Sequence, residues 1–171
     1  IYKLKNIEEK FKVVGNIKIS PFLKKSNFNK VKFMNDIKLD PNKTNVVFAP
    51  SWDAHGKDIF GRHRILPKSY GSLSNFLDKL SIETNILNCN FIVKLHHLSY
   101  FYLKNSIFKK IEKNKNCFVF KSGVYHDISG SNEICKISDI LITDTSGIAT
   151  TGIFLNKKLI FVNPSSYNWD F

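Results

Sequence analysis

An α/β fold built on a doubly wound parallel sheet is what this chain of 171 residues predicts, and three observations predict it. Short runs of consecutive apolar, largely β-branched residues recur from Val46 to Val162. Longer stretches between them place apolar residues at helical spacing. The runs do not alternate apolar with polar, so each strand needs cover on both faces, the mark of parallel strands joined through helices. Right-handed crossovers between such units give a Rossmann-like layer.

Val46-Val47-Phe48-Ala49 reads as the first strand, ended by Pro50. A loop rich in Gly, His and Arg follows from Ser51 to about Tyr70. Leu73, Phe76, Leu77, Leu80 and Ile86-Leu87 then recur at helical spacing. Phe91-Ile92-Val93 is the second strand. A helix is expected from Tyr100 to Lys113, with Leu103, Ile107 and Ile111 on one face. Cys117 to Phe120 reads as the third strand, Glu133 to Ser138 as a short helix, and Ile140 to Thr143 as the fourth strand. Gly147 to Leu155 is a helix and Leu159 to Val162 a fifth strand.

Before the first strand the pattern is weaker. Val13-Val14-Gly15 reads as a strand and its turn, and Ser20-Pro21 as a connection. Asn27 to Asn45 reads as a polar linker with Phe28, Val31, Phe33 and Met34 as candidate anchors. Residues 1–45 are therefore expected to be a basic leader from an N-terminal domain missing from this sequence, and 46–171 the Rossmann-like domain. Both ends look cut: the chain opens on Ile1 and stops at Phe171 within an aromatic stretch.

The net charge is +12, and residues 1–45 hold 11 of the 26 basic residues but only 4 of the 14 acidic ones. Such a surface attracts polyanions, whether nucleic acid, anionic lipid or phosphorylated substrates. The plain alternative is a lysine-rich composition spread over solvated faces. No recognition helix, stacking aromatic motif or zinc module accompanies the charge, so nucleic acid is not the expected partner. Cys89, Cys117 and Cys135 are odd in number and lack metal-type spacing, which fits a reducing cytoplasm. His55, His63 and His126 form no ligand motif either, so no metal and no cofactor is implied. No apolar run approaches the roughly 20 residues that span a bilayer.

Ligands of an open parallel sheet bind beyond the carboxyl ends of its strands. The loops there carry Ser51-Trp52, Arg62 and Arg64 after strand one, and Lys94 and His96 after strand two. Ser122-Gly123 follows strand three, and Asp144-Thr145-Ser146-Gly147 strand four. Together they read as an anion pocket. Asp144 to Gly147 opens a helix, where N–H groups and hydroxyls favour a phosphate; ordinary N-capping is the alternative. Arg62 and Arg64 are the only arginines of the chain, and arginine grips phosphate bidentately where lysine acts as a point charge. A histidine at position 96 can bond a phosphate oxygen or protonate a leaving group, or simply bond to backbone. Trp52 could stack on a base, though packing is the commoner role.

Five pieces in order carry a resemblance. They are Gly15-Asn16, Ala49-Pro50-Ser51-Trp52, Lys94-Leu95-His96, Ser138-Asp139-Ile140-Leu141-Ile142-Thr143-Asp144-Thr145-Ser146-Gly147, and Lys157-Lys158-Leu159-Ile160-Phe161. The chain resembles in them the C-terminal, donor-binding domain of the CDP-glycerol glycerophosphotransferase family, the teichoic-acid polymerase type with a GT-B glycosyltransferase fold. His97 stands where that family has proline, Gly147 where it has a second serine, and Thr150 or Thr151 where it has an acid. The resemblance implies that His96 and Ser146 meet the donor's phosphates, emerging side by side from neighbouring strand tips. It also implies transfer of a phosphoglycerol or sugar-like group from a cytidine-nucleotide donor to a hydroxyl acceptor on a cell-surface polymer or glycolipid. The fragment would bind rather than turn over by itself, and the basic leader would touch an anionic membrane at its cytoplasmic face. A UDP-sugar-dependent GT-B transferase, a UDP-N-acetylglucosamine 2-epimerase and a catalytically dead binding module stay open as alternatives, as does, ranked well below and from another class, a basic nucleic-acid-binding domain.

Overall fold

In the computed structural model, residues 28–50, 56–57, 63–64, 73–95, 105–120, 131–144 and 146–162 are described. In chain order they form α1 (Lys30–Asp36), β1 (Asn45–Phe48), β2 (Gly56–Lys57), β3 (His63–Arg64), α2 (Leu73–Ile86) and β4 (Asn90–Val93). Then come α3 (Asn105–Ile111), β5 (Cys117–Val119), α4 (Ser131–Ile137), β6 (Ile140–Thr143), α5 (Ile148–Phe154) and β7 (Lys158–Phe161).

Five strands make one sheet in the order β5-β4-β1-β6-β7, with every pairing parallel. The expected α/β, Rossmann-like architecture is what forms. All four residues of β1 and of β4 are buried, because both faces of a central strand are covered. On one face Val47, Ala49, Ile92, Phe120 and Leu141 pack with Phe33 and Met34 of α1 and with Ile134 and Ile137 of α4. On the other Val46, Phe48, Phe91, Val93, Val119 and Ile142 pack with Leu77 of α2 and with Phe108 and Ile111 of α3. The chain winds outward from β1 to β4 and β5, then returns across β1 to add β6 and β7. The order thus reverses between β1 and β6.

Three helices stop in the same way. Lys38, Asn88 and Asn156 take left-handed backbone (φ 59°, 54° and 52°) two residues past α1, α2 and α5. The next N–H reaches back in each case, from Leu39 to Met34, Cys89 to Thr84 and Lys157 to Gly152, all at 2.9 Å. This satisfies carbonyls the last turn would orphan, and asparagine tolerates the conformation better than most residues.

Several elements differ from the sequence expectation. The polar stretch before β1 contains a helix: Asn29 caps it by accepting the Lys32 N–H (2.9 Å), and Phe33 and Met34 are buried beneath it. Val31, expected as an anchor, is instead exposed. Lys30 bonds Asp139 (3.2 Å), whose other carboxylate oxygen accepts the Asn45 N–H (2.8 Å), so α1 is tied to the amino edge of the sheet. Among the side chains of α2 that are described, Leu77, Ser81 and Thr84 are buried, while Ile86, and Leu87 just past the helix, are exposed. At 100° per residue Ile86 falls opposite Leu77, and the two hydroxyls tolerate burial by bonding back to Asp78 and Leu80 carbonyls. The helix expected over 100–113 is described over Asn105–Ile111. The long loop after β1 carries the antiparallel pair β2–β3, with Gly56 opposite Arg64. Finally, β7 lies at the sheet edge with Lys158, Ile160 and Phe161 exposed, because only Leu159 turns inward. The strand at 13–15 and the connection at 20–21 lie outside the described residues.

Candidate functional site

The order reverses between β1 and β6, and at such a switch point an open parallel sheet forms its crevice, beyond the carboxyl ends of the two strands. The ladder continues past the strand ends. Ala49 N–H donates to the Ile142 carbonyl at 2.9 Å, and the Thr143 hydroxyl donates to the Ala49 carbonyl at 2.7 Å. Thr143, fully buried, therefore locks the tips of β1 and β6 together at the base of the crevice.

Immediately beyond, Asp144 Oδ1 accepts the Ser146 N–H at 3.0 Å, closing a tight turn, and the Ser146 carbonyl accepts the Ala149 N–H at 2.9 Å. Gly147 occupies the cap position of α5 in helical backbone (φ −58°, ψ −12°), where it offers no side chain to cap the helix. The Asp144 oxygen thus shapes the turn that leads into α5. One N–H counted among the free donors, that of Ser146, is taken by the same carboxylate.

On the other side of β1, β4 runs out at Val93 and Lys94 N–H donates to the Phe48 carbonyl at 2.9 Å. Lys94 is half-buried, and its Nζ lies 5.8 Å from the centroid of the Phe120 ring. Burial lowers its pKa from 10.5, because an ammonium loses hydration there. Among the described residues no carboxylate pairs with it. An ammonium held this way offers its charge to an incoming anion.

Lys94, Asp144, Ser146 and Gly147 are therefore all at the carboxyl edge, as the strand-end rule requires. Ser51, Trp52, Arg62, His96, Ser122 and Thr145 lie outside the described residues, and Arg64 is described only as backbone of β3. His96 and Ser146 follow β4 and β6, which flank β1 on opposite sides. Their strand tips are second neighbours, about 10 Å apart at ordinary strand spacing, rather than adjacent. Among the described residues no three His, Cys, Asp or Glu side chains come close enough to hold a metal.

Two contributors escaped the sequence reading. Thr143 was read only as the end of a strand, although a hydroxyl in the last buried position of an apolar run is itself a signal for a partner. Phe120 was read as the last core residue of a strand. Its position opposite Lys94 follows from the parallel register of β4 with β5, which periodicity within one segment does not contain.

No protein-family model matches the chain, and no curated protein sequence matches it. Among solved structures it is similar to the wall teichoic acid polymerase TagF. One variant of that enzyme is 23% identical over 77% of this chain, with a TM-score of 0.50. A second variant is 21% identical over the same share, with a TM-score of 0.51. The first variant soaked with CDPG aligns at 23% identity and a TM-score of 0.50. The chain spans only 28% of the length of those chains. At such identity the likeness is one of fold: five parallel strands and their helices arranged as in one segment of a teichoic acid polymerase.

Proposed function

We propose that this chain binds the donor of a transferase that moves a glycerophosphate or sugar-like group from a CDP-activated donor to a hydroxyl acceptor. The observation that carries the reading is the switch-point crevice of a TagF-like sheet, flanked by the desolvated Lys94 ammonium on one side and the Asp144–Gly147 turn on the other. Lys94 and Ser146 hold the diphosphate, aided by the guanidinium groups of Arg62 and Arg64 and by the hydroxyls of Ser51, Ser122 and Thr145. Trp52 covers the base. In the transfer step an acceptor hydroxyl oxygen bonds to the donor's distal phosphorus. The bond from that phosphorus to the bridging oxygen breaks, and CMP departs. His96 donates a proton to the departing phosphate, while the acceptor's proton passes to a base outside this chain. The acceptor is part of a cell-envelope polymer or glycolipid, which places the basic surface of the chain against the cytoplasmic face of the membrane.

Isothermal titration with CDP-glycerol, CDP-ribitol and UDP-sugars tests this. Saturable binding of a cytidine nucleotide that weakens at least tenfold in Lys94→Met is expected. Binding of UDP-sugars alone would transfer the site to the alternative GT-B or epimerase reading.

A second reading, a binding module without turnover, draws on the family's acid being absent. Thr151 is 4% exposed, so a carboxylate fits only at the exposed Thr150. Gain of turnover on Gly147→Ser with Thr150→Asp, in a protein that includes the partner domain, would support it.

A further inference from the structure

The register of β4 with β5 pairs Phe91 with Cys117, Ile92 with Phe118 and Val93 with Val119. One step further, Phe120 N–H donates to the Val93 carbonyl at 2.9 Å, so Lys94 and Phe120 are the next pair in the same ladder. Paired residues of parallel strands share a face. Lys94 therefore stands in the column of Ile92, on the face where Phe118 and Phe120 are also found, at the point where the core gives way to the crevice. The ring beneath it is not free to move. Phe120 is 1% exposed, meets Phe118 edge-on at 5.0 Å, and stacks with Phe33 of α1 at 6.2 Å and 19°. Phe33 is in turn braced by Phe28 at 5.7 Å. The helix that precedes β1 thus supports, through two aromatic contacts, the one ring over which the site's ammonium sits.

We infer that Phe120 is a positioning residue: the negative face of its ring fixes the Lys94 ammonium at the crevice, ready for the phosphates of a nucleotide-activated donor. The inference rests on the donor-binding reading above. An aromatic face attracts a cation without neutralising it, whereas a carboxylate would both hold the charge and cancel it for the ligand. Half-burial strips hydration from the Lys94 ammonium, so without such support it would swing toward water. A lysine carries large rotamer freedom, and holding it before the ligand arrives removes that cost from binding.

The test leaves packing intact. Site-specific replacement of Phe120 by its mono-, di- and trifluorinated analogues drains the ring's negative face while nearly preserving its shape. Titration of inorganic pyrophosphate reads the ammonium's position, and titration of CDP-glycerol reads the donor proposal. Affinity for pyrophosphate is expected to fall stepwise along the series, by about fivefold at the trifluoro derivative. No further fall is expected in the Lys94→Met background. Equal affinity across the series, or the same loss with Lys94 already removed, overturns the positioning role. Failure of the unmodified protein to bind pyrophosphate overturns it too. Pyrophosphate binding with the graded loss, but no CDP-glycerol binding, would sink the donor reading alone.

Discussion

Lys94 and the cysteines show how one variable, burial, gives opposite consequences for different residues. Desolvation lowers the Lys94 pKa and turns an ordinary surface cation into one poised for an anion. The same effect pushes the thiols of Cys117 and Cys135 from 9.0 up to about 12, keeping them protonated and unreactive inside the core. A folded-state pKa raised above its unfolded value contributes stability that is full below pH 9.0 and lost as pH climbs toward about 12. Urea unfolding of the wild type against Cys117→Ala and Cys135→Ala checks this. The stability gap between wild type and each variant should narrow as pH rises above 9.0, and a gap that widens contradicts it. The comparison cancels the opposite, stabilising trend expected from Lys94 and Lys157, whose pKa values burial lowers. At this scale the carboxyl-edge placement of Lys94, Asp144, Ser146 and Gly147 was legible because strand-end rules locate it. The partner ring of Lys94 was not, since residues 94 and 120 meet only through strand pairing.

Among the elements, α5 packs so closely at Gly152 that a side chain there needs a neighbour to shift. A side chain on Gly152 would bring its Cβ within 2.9 Å of Leu141 Cδ2 and of Leu159 Cδ2, so the helix lies directly on β6 and β7 because it has a glycine there. Gly152→Val should lower stability by about 1–3 kcal/mol, as overpacking does, measured by chemical denaturation. An unchanged midpoint would mean that both leucines have free space to turn into. The strand and helix types along 46–162 were legible because each element repeats its own period. The outward-facing character of Ile160 and Phe161 was not: their run looks as apolar as that of β1, and only its edge position in the sheet exposes it.

For the whole molecule, the unit that folds extends further toward the amino terminus than the sequence boundary at residue 46. Phe33, Met34, Ile37 and Leu39 are all buried in the core beside Val47 and Ile92. Each such side chain is worth about 1.5–3 kcal/mol of burial, and together they rival the roughly 5–15 kcal/mol by which a domain is stable. A chain beginning at Asn45 should therefore lose its cooperative thermal transition, whereas one beginning at Phe28 should keep it. Equal melting of the two would show that α1 is an accessory. The net charge of +12 adds self-repulsion that makes this loss harder to absorb. Among the described residues no helix is long and apolar enough to cross a membrane.

What local patterning alone determined was the class of fold, the order of its strands and helices, and which residues end up at the carboxyl edge of the sheet. Those depend on periodicity and on the rule that parallel strands share a carboxyl end. Tertiary structure decided which strands are neighbours, that β1 separates the tips leading to His96 and Ser146, and that a lysine-rich approach folds into a helix bracing the ring under Lys94. Contacts across a sheet join residues far apart in the chain, and no short-range pattern records which of the available partners wins.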